Sequence, residues 1–327
     1  MMSAALLDFP PAGPSARDLM ERALDPHVLL GMPHLNGNGL SETWLMKELG
    51  HRHWLMLARH LGLDNADFRT ADGEEAYAAI CATSLTDAHF AIVQANDILT
   101  IHSKLSAVSR TRTSTRHELS LHERSVGAVE LISTFVHRTI KDNNHSIARV
   151  TLPERQGRRF QPSPLAQNAV DIRNGRLGTH FGFSVLAHRA LRTFKFDPSA
   201  SQEFNGAGLF YFAEYQALAD RALENWFPCK GPVVRKDVFF LGNIERNESV
   251  FFDLIDFSDE QKTVHGQLRR ENGKVIAKIF ARGHIFAESS SRNACFVSFE
   301  TEKDNGMASG ARLMRRAASD LVDDKWR

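Results

Sequence analysis

The 327-residue sequence has only three cysteines, no long apolar run and almost no net charge. Cys81, Cys229 and Cys295 lie far apart, which excludes a cysteine-based zinc finger and fits a reducing, cytoplasmic location. No run of about 18 apolar residues occurs, so the sequence predicts no membrane span. The balance of 40 basic and 39 acidic residues argues against a nucleic-acid-binding protein, which normally carries a strongly basic face.

The arginine-bearing segment 110–124 is locally basic, but it also contains Glu118 and Glu123 and alternates like a strand. A solvated strand face is therefore expected there, with phosphate binding as the alternative.

The N-terminal residues 1–15 contain three prolines and lack the basic start of a signal peptide. A chain of this length predicts two domains. The expected divisions are a flexible leader (1–20), a first domain (21–152), a linker (153–178), a second domain (179–301) and a charged tail (302–327).

A short motif occurs twice in the chain. The sequence NGNGL at 36–40 returns as NGAGL at 205–209, an offset of 169 residues (205 − 36). Each copy opens a long, largely apolar helical stretch, predicted over residues 40–61 and 209–226. The spacing, close to half of the chain, indicates two similar halves.

The segments around the two predicted helices also correspond. They are rich in Val, Ile, Phe and Thr and are separated by turn residues, as strands of an antiparallel meander are. One strand is predicted before each helix, at 28–32 and 193–196. Four strands are predicted after each helix, at 75–83, 97–109, 113–122 and 126–138 in the first half and at 232–244, 249–257, 262–270 and 274–285 in the second.

One helix followed by four long antiparallel strands packs well when the sheet curls around the helix. The second helix fits this arrangement, because apolar residues such as Phe210, Phe212 and Leu218 cover more than one stripe of its surface. The sequence therefore predicts an α+β tandem (double) hot-dog fold, in which each half is a curled antiparallel sheet around one long helix. A two-domain α+β protein of another type is the alternative.

The two helix starts are the candidate binding sites. A helix N-terminus presents unpaired N–H groups and a partial positive charge, which suit the oxyanion or enolate of a thioester. Glycines there let a ligand approach the backbone closely. The candidate binding residues are His34, Asn36, Asn38, Gly39, Leu40 and Ser41 in the first copy and Asn205, Gly208 and Tyr211 in the second. The alternative is that the Asn and Gly residues only form turns and caps.

Glu42 and Glu214 each lie within the first two turns of a predicted helix. Either is a candidate general base if it is buried, or a simple partner of the helix dipole.

His51 and His53 are two residues apart on a helix and point to different sides, so no metal site is predicted. The stretch around Ser41 lacks the final glycine of a hydrolase nucleophile elbow, and no third glycine completes a dinucleotide-binding fingerprint.

Several motifs of the first half resemble the LnmK-type family of double hot-dog proteins from polyketide biosynthesis. They are Gly31-Met32-Pro33, the glycine-rich helix start, Gly50-His51-Arg52-His53-Trp54, and Gly73 followed by Tyr77. The second-half stretch NGAGLFYFAEYQ resembles the wider thioesterase-like hot-dog helix motif. The resemblance covers residues 31–80, and Ser41-Glu42-Thr43 departs from the family's pattern.

This resemblance implies a bifunctional acyltransferase/decarboxylase that takes an acyl group from a methylmalonyl-CoA-like substrate to an acyl carrier protein. It implies a catalytic role for Tyr77, to which the helix-mouth chemistry adds Asn38 and Glu42. No cofactor is expected, since coenzyme A or phosphopantetheine would be part of the substrate. The first alternative is a hot-dog thioesterase or dehydratase that uses Glu214 with Asn205. The second alternative is a non-catalytic scaffold that binds a carrier protein. A monomer or a homodimer is compatible with either.

Overall fold

The computed structural model describes residues 13–152, 159–186, 189–227 and 232–283. Its helices are α1 (Ala16–Ala23), α2 (Glu42–Leu61), α3 (Pro164–Arg173) and α4 (Phe212–Trp226), with 3-10 turns at Met32–His34 and Phe90–Ile92. Its strands are β1 (His27–Leu29), β2 (Leu35–Asn36), β3 (Gly39–Leu40), β4 (Tyr77–Thr86), β5 (Ile98–Ser109), β6 (Arg112–Leu121), β7 (Arg124–Arg138), β8 (Ile147–Arg149), β9 (Thr179–His180), β10 (Phe183–Ser184), β11 (Arg192–Phe196), β12 (Val233–Phe240), β13 (Val250–Ser258), β14 (Thr263–Arg270) and β15 (Val275–Gly283).

The long strands form one sheet in the order β1-β5-β6-β7-β4-β12-β15-β14-β13-β11, with β8 paired to β7. Read from its outer edge, the second half (β11-β13-β14-β15-β12) has the same topology as the first (β1-β5-β6-β7-β4). The halves join where β4 pairs with β12 in antiparallel register, from Leu85–Lys236 to Ala82–Phe239. This arrangement confirms the double hot-dog fold that the repeated motif and the strand pattern predict.

The helices α2 and α4 pack on the inner face of the sheet and share one hydrophobic core. Leu45 and Leu49 of α2 and Ala213 and Leu218 of α4 are buried in the same cluster, together with strand residues such as Leu131. Fully burying a leucine contributes about 1.5–3 kcal/mol, so the shared core favours folding of both halves together. The opposite, outer face of the sheet carries α3.

Both long helices begin later than the sequence predicts. In the first half, Gly39–Leu40 pairs with Leu35–Asn36 as a small hairpin, and the side chain of Ser41 then accepts a hydrogen bond from the N–H of Trp44. In the second half, the Oδ1 atom of Asn205 accepts hydrogen bonds from two backbone N–H groups and holds residues 205–209 in a turn. The Asn205 turn takes the place of the first predicted turn of α4, and the Ser41 cap sets the start of α2 directly after the hairpin.

Two further expectations differ from the structure. Residues 16–20, which we expected in a flexible leader, lie in α1, because Ser15 and Asp18 form a capping box and Met20 is buried. The expected linker contains α3, whose residues Leu165 and Ile172 are buried against the outer face of the sheet. Residues 1–12 and the expected tail lie outside the described residues, and the domain boundaries stay predictions. No helix in the described part of the chain is both long enough and apolar enough to span a membrane.

Candidate functional site

A cavity of about 590 Å³ lies where β4 and β12 separate. The two strands are paired only up to Ala82 and Phe239, and the residues beyond, 77–81 and 240–243, line the cavity on either side. The loop before α4 and the first turn of α4 complete the wall. This volume is within the range of about 300–1,000 Å³ that is typical of small-molecule sites.

The wall of the cavity combines apolar and polar side chains. Its apolar part fits a hydrocarbon group, since these side chains would exclude water from it. The main apolar residues of the wall are Phe68, Ile80, Val136, Phe210, Phe212 and Phe240. Three sets of polar groups lie around the start of α4: the helix start itself, a group around Tyr77, and a histidine with its carboxylate partner.

The start of α4 presents backbone N–H groups without a side-chain cap. The N-cap residue is Tyr211, and its side chain makes no capping hydrogen bond. The preceding loop is held in place by Asn243, whose Oδ1 accepts from the N–H of Phe210. Gly208 has φ 68°, and a Cβ there would lie 2.9 Å from the Arg246 guanidinium, so glycine is favoured at this position. The α4 start, with its partial positive charge, therefore borders the cavity through Tyr211 and Phe212.

Tyr77 stands at the rim between Glu75 and Arg138. Its hydroxyl donates a short hydrogen bond to the Glu75 carboxylate. Arg138 donates to the Tyr77 Oη (2.8 Å), to the carbonyl oxygen of Ala207 (2.6 Å) and to Asn144 Oδ1 (3.0 Å). Burial and the hydrogen bond to Glu75 raise the pKa of Tyr77 to about 12, against the opposing effect of Arg138. Tyr77 is therefore a protonated hydrogen-bond donor at neutral pH.

The loop after β7 supplies a histidine–carboxylate pair. Asn144 donates from Nδ2 to the carbonyl oxygens of Gly208 and Ile244, which fixes this loop against the α4 start. The next residue, His145, lines the cavity, and its Nε2 lies 2.9 Å from Glu248 Oε2. A carboxylate on one ring nitrogen fixes the orientation of the imidazole and leaves the other nitrogen to act as a base. Sequence reasoning missed this pair because its members lie in loops 103 residues apart.

The first helix start is closed. Ser41 caps α2, and Glu42 forms an ion pair with Lys236 (2.9 Å), which also contacts Asp220 (2.8 Å). Lys236 is only 2% exposed. Gly39 packs so closely on the 3-10 turn that a Cβ there would lie 2.0 Å from the carbonyl oxygen of Phe90. A buried ion cluster and a packed hairpin thus occupy the place that the cavity has in the second half.

The predicted first-copy residues lie away from the cavity. His34 stacks on Trp44 and its Nδ1 accepts from the N–H of Gly31, while Asn36 accepts from the N–H of Asn38. Leu40 is buried in the core. None of the described residues from His34 to Glu42 lines the cavity.

Of the second-copy residues, Asn205 and Tyr211 line the cavity, and Gly208 adjoins it through its bond to Asn144. Glu214 is buried in an ion pair with Lys47 (2.6 Å) and does not line it. The structure therefore brings Tyr77 together with Asn205 and Tyr211, and separates it from Asn38 and Glu42. The roles assigned to all of these residues stay predictions.

His53 lies in the core of the first half, where its Nδ1 is 2.8 Å from the Thr115 hydroxyl. His51, two residues earlier, is exposed. In the part of the chain that the structure describes, no group of three or more His, Cys, Asp or Glu side chains is placed to hold a metal ion.

No protein-family model matches the chain, and no curated protein matches it either. Solved structures do. An acyl-ACP thioesterase from Bacteroides thetaiotaomicron is 10% identical, with 78% of this chain and 95% of that chain covered at a TM-score of 0.52. The 12:0-ACP thioesterase from Umbellularia californica is 7% identical, with the same coverage and a TM-score of 0.56. A Lactobacillus plantarum protein described as an oleoyl thioesterase is 11% identical, with 78% and 92% covered and a TM-score of 0.57. At such low identity these likenesses show the fold, which is a double hot dog.

Proposed function

We propose that this chain is an enzyme that hydrolyses acyl thioesters of coenzyme A or of an acyl carrier protein. The observation that carries the proposal is the cavity at the uncapped start of α4, which combines apolar walls, hydrogen-bond donors and the His145–Glu248 pair. The fold neighbours named as acyl-ACP thioesterases support the substrate class.

The proposed substrate places its acyl chain against the apolar walls and its carbonyl group at the start of α4. Each buried methylene contributes about 0.8 kcal/mol, so the walls would favour long chains over short ones. The first-turn N–H groups of α4 would donate to the carbonyl oxygen. The hydroxyl of Tyr77 also lines the cavity, and its proton would serve as a further donor once it leaves the Glu75 carboxylate.

Hydrolysis then needs one base and one oxyanion site. The Glu248 carboxylate holds Nε2 of His145, and Nδ1 removes a proton from a water molecule as its oxygen bonds to the carbonyl carbon. The negative charge that develops on the carbonyl oxygen is stabilised by the α4 N–H groups. When the C–S bond breaks, the imidazolium of His145 returns the proton to the leaving thiolate.

The test is the release of free thiol from a panel of acyl-CoAs, measured with a thiol-reactive chromogen. Removing a general base costs about 10²–10⁴-fold, so His145→Gln should lower kcat by that order. The matched control is His51→Gln, which changes an exposed histidine on α2 and should leave kcat unchanged. Full activity in His145→Gln would rule out this base.

A second candidate is decarboxylation with acyl transfer, which the LnmK-type resemblance implies. One observation favours it: Tyr77, the residue that the resemblance selects, lines the cavity as a protonated phenol, whose proton would stabilise an enolate once it leaves Glu75. Mass spectrometry after incubation with methylmalonyl-CoA and a holo carrier protein separates the candidates. Hydrolysis gives free coenzyme A and methylmalonate and leaves the carrier protein unchanged in mass. Decarboxylation with transfer releases CO₂ and coenzyme A and adds a propionyl group to the carrier thiol. Binding without any change in mass would instead favour the non-catalytic scaffold.

A further inference from the structure

A cluster of arginines surrounds Cys81 of β4 along the cavity wall. Arg149, at the end of β8, and Arg173, at the end of α3, line the cavity together with Cys81. Arg112, at the start of β6, stands next to them. Burial raises the pKa of the Cys81 thiol, and the positive charges of all three arginines oppose that rise. Two of the three guanidinium groups thus share a cavity wall with the thiol, and Arg112 precedes Thr113, which pairs with Ser133 of the neighbouring strand β7.

The positive charge of this cluster is not neutralised by the described part of the chain. Among the described residues, none of the three arginines has a carboxylate within 4.0 Å, whereas the buried Arg52 and Lys236 each have one. The Nε–H of Arg112 is buried and has no hydrogen-bond partner there. Arg173 donates to the carbonyl oxygen of Phe240 (2.9 Å), which holds its guanidinium where β12 leaves the sheet. Like charges held together in this way are stabilised by a bound anion.

A buried hydroxyl in the same cavity adds a neutral donor. Thr134 of β7 lines the cavity, pairs with Ala79 of β4 and is only 6% exposed. Its Oγ1 has no hydrogen-bond partner among the described residues. Since a buried hydroxyl without a partner is unfavourable, this atom also points to a ligand.

The cluster lies at a defined distance from the proposed reaction centre. Tyr77 and Cys81 are four residues apart on β4, which corresponds to about 13 Å along a strand. An anion bound at the cluster would therefore lie some way along an extended substrate whose thioester carbonyl is at the start of α4.

We propose that Arg149, Arg173 and Thr134, supported by Arg112, form a subsite for an oxyanion carried by the substrate. Its source is either a carboxylate at the far end of the acyl group or a phosphate of the phosphopantetheine-bearing carrier. The identity of the ligand as a thioester rests on the proposed function. The subsite also gives roles to α3, within the expected linker, and to the basic segment 110–124, which contains Arg112.

Four thioesters separate the two sources. Octanoyl and octanedioyl groups are each attached to coenzyme A, which carries phosphates, or to N-acetylcysteamine, which carries none. The variant is Arg149→Gln, because Arg149 is exposed and is not needed to hold a carbonyl. The matched control is Arg116→Gln, which removes an exposed arginine from the outer surface of β6.

Loss of a charge-assisted hydrogen bond should raise KM about tenfold or more for the substrates that carry the bound anion. A rise for both octanedioyl thioesters identifies the carboxylate, and a rise for both coenzyme A thioesters identifies the phosphate. An equal effect on all four substrates, or on none, overturns the subsite. Arg116→Gln should change no KM selectively.

A second measurement does not depend on turnover. Cys81 is partly exposed inside the proposed subsite, so its alkylation by iodoacetamide can be followed by mass spectrometry of the peptide that contains it. Octanedioate or coenzyme A should slow the labelling severalfold, octanamide should not, and Arg149→Gln should abolish the protection. Equal labelling with every probe overturns the subsite. Protection by an anion without hydrolysis of any thioester refutes the proposed function and leaves the subsite standing.

Discussion

Acid should destabilise this protein through two buried histidines in the first half. The ring of His53 contacts the Thr115 hydroxyl (2.8 Å), which also contacts Nε2 of His117 (3.0 Å), and Nδ1 of His117 contacts Ser103 (2.8 Å). Both rings are fully buried. Burial lowers the pKa of His53 to about 3, and burial with the nearby charges of His53 and Arg52 lowers that of His117 to about 3.

The sign of the effect follows from proton binding. In the unfolded chain both histidines have a pKa of 6.5, so they bind protons as the pH falls below that value. In the folded chain they stay neutral until the pH approaches 3. The unfolded state therefore binds more protons between pH 6.5 and 3. The two histidines therefore do not lower the free energy of unfolding above pH 6.5, and they lower it progressively as the pH falls below that value.

The magnitude can be worked out for a change from pH 7.5 to pH 5.0. At 1.36 kcal/mol per pH unit below the unfolded pKa, each histidine lowers the free energy of unfolding by about 2 kcal/mol. The pair then accounts for about 4 kcal/mol. Against a typical total stability of about 5–15 kcal/mol, the loss is large.

Urea denaturation at both pH values measures this effect. Other groups also titrate between pH 7.5 and 5.0, so the comparison is with the double variant His53→Gln/His117→Gln. That variant is expected to be less stable at pH 7.5 but to lose about 4 kcal/mol less on acidification than the natural sequence. His51→Gln, which changes an exposed histidine of the same helix, should keep the full pH dependence. An equal pH dependence in the double variant would refute the assignment of neutral, buried rings.

Three further predictions concern the parts that shape the site. Lys236→Met should lower the free energy of unfolding by about 3–5 kcal/mol in a denaturation experiment, because it leaves Glu42 buried without its cation; a loss below 1 kcal/mol would contradict a buried ion cluster. Ile172→Ala should cost about 2–4 kcal/mol in the same experiment if α3 is packed on the sheet, and a negligible cost would show that it is not. Gly208→Ala should cost about 1 kcal/mol and lower kcat/KM for acyl thioesters, since a side chain at φ 68° would push Arg246 away; unchanged kinetics would argue against a role for this loop.

The strands and helices could be predicted from the sequence because the apolar pattern of each element reflects which of its faces are buried. In β7, Leu131 faces the inner core and Ile132 the outer cluster, so the strand is apolar on both sides and stands out from the turns. In α4, apolar residues surround the helix because the sheet curls around it. The errors lie at helix starts, where the Asn205 turn delays α4 and the hairpin that ends at Leu40 delays α2.

The site was predicted only in part because the two copies of its motif are nearly identical in sequence and differ in what packs against them. The first copy is closed by Lys236, which is 194 residues from Glu42. The second copy is open because β4 of the first half separates from β12 beside it. Neither contact can be inferred from the motif residues. The sequence therefore predicts a site at both helix starts and places the catalytic residues Asn38 and Glu42 at the closed one.

This asymmetry follows from having both halves in one chain. In a dimer of identical subunits, any change that closed one helix start would close the other as well, because the same residues form both. A duplicated chain is free of that constraint, so one helix start can carry a buried cluster such as Lys236 with Glu42 and Asp220 while the other keeps a cavity. The side chains that complete the open start, Tyr77 and Arg138, come from the first half. The first half therefore contributes to a single site through its sheet and its loops, although its own helix start is closed.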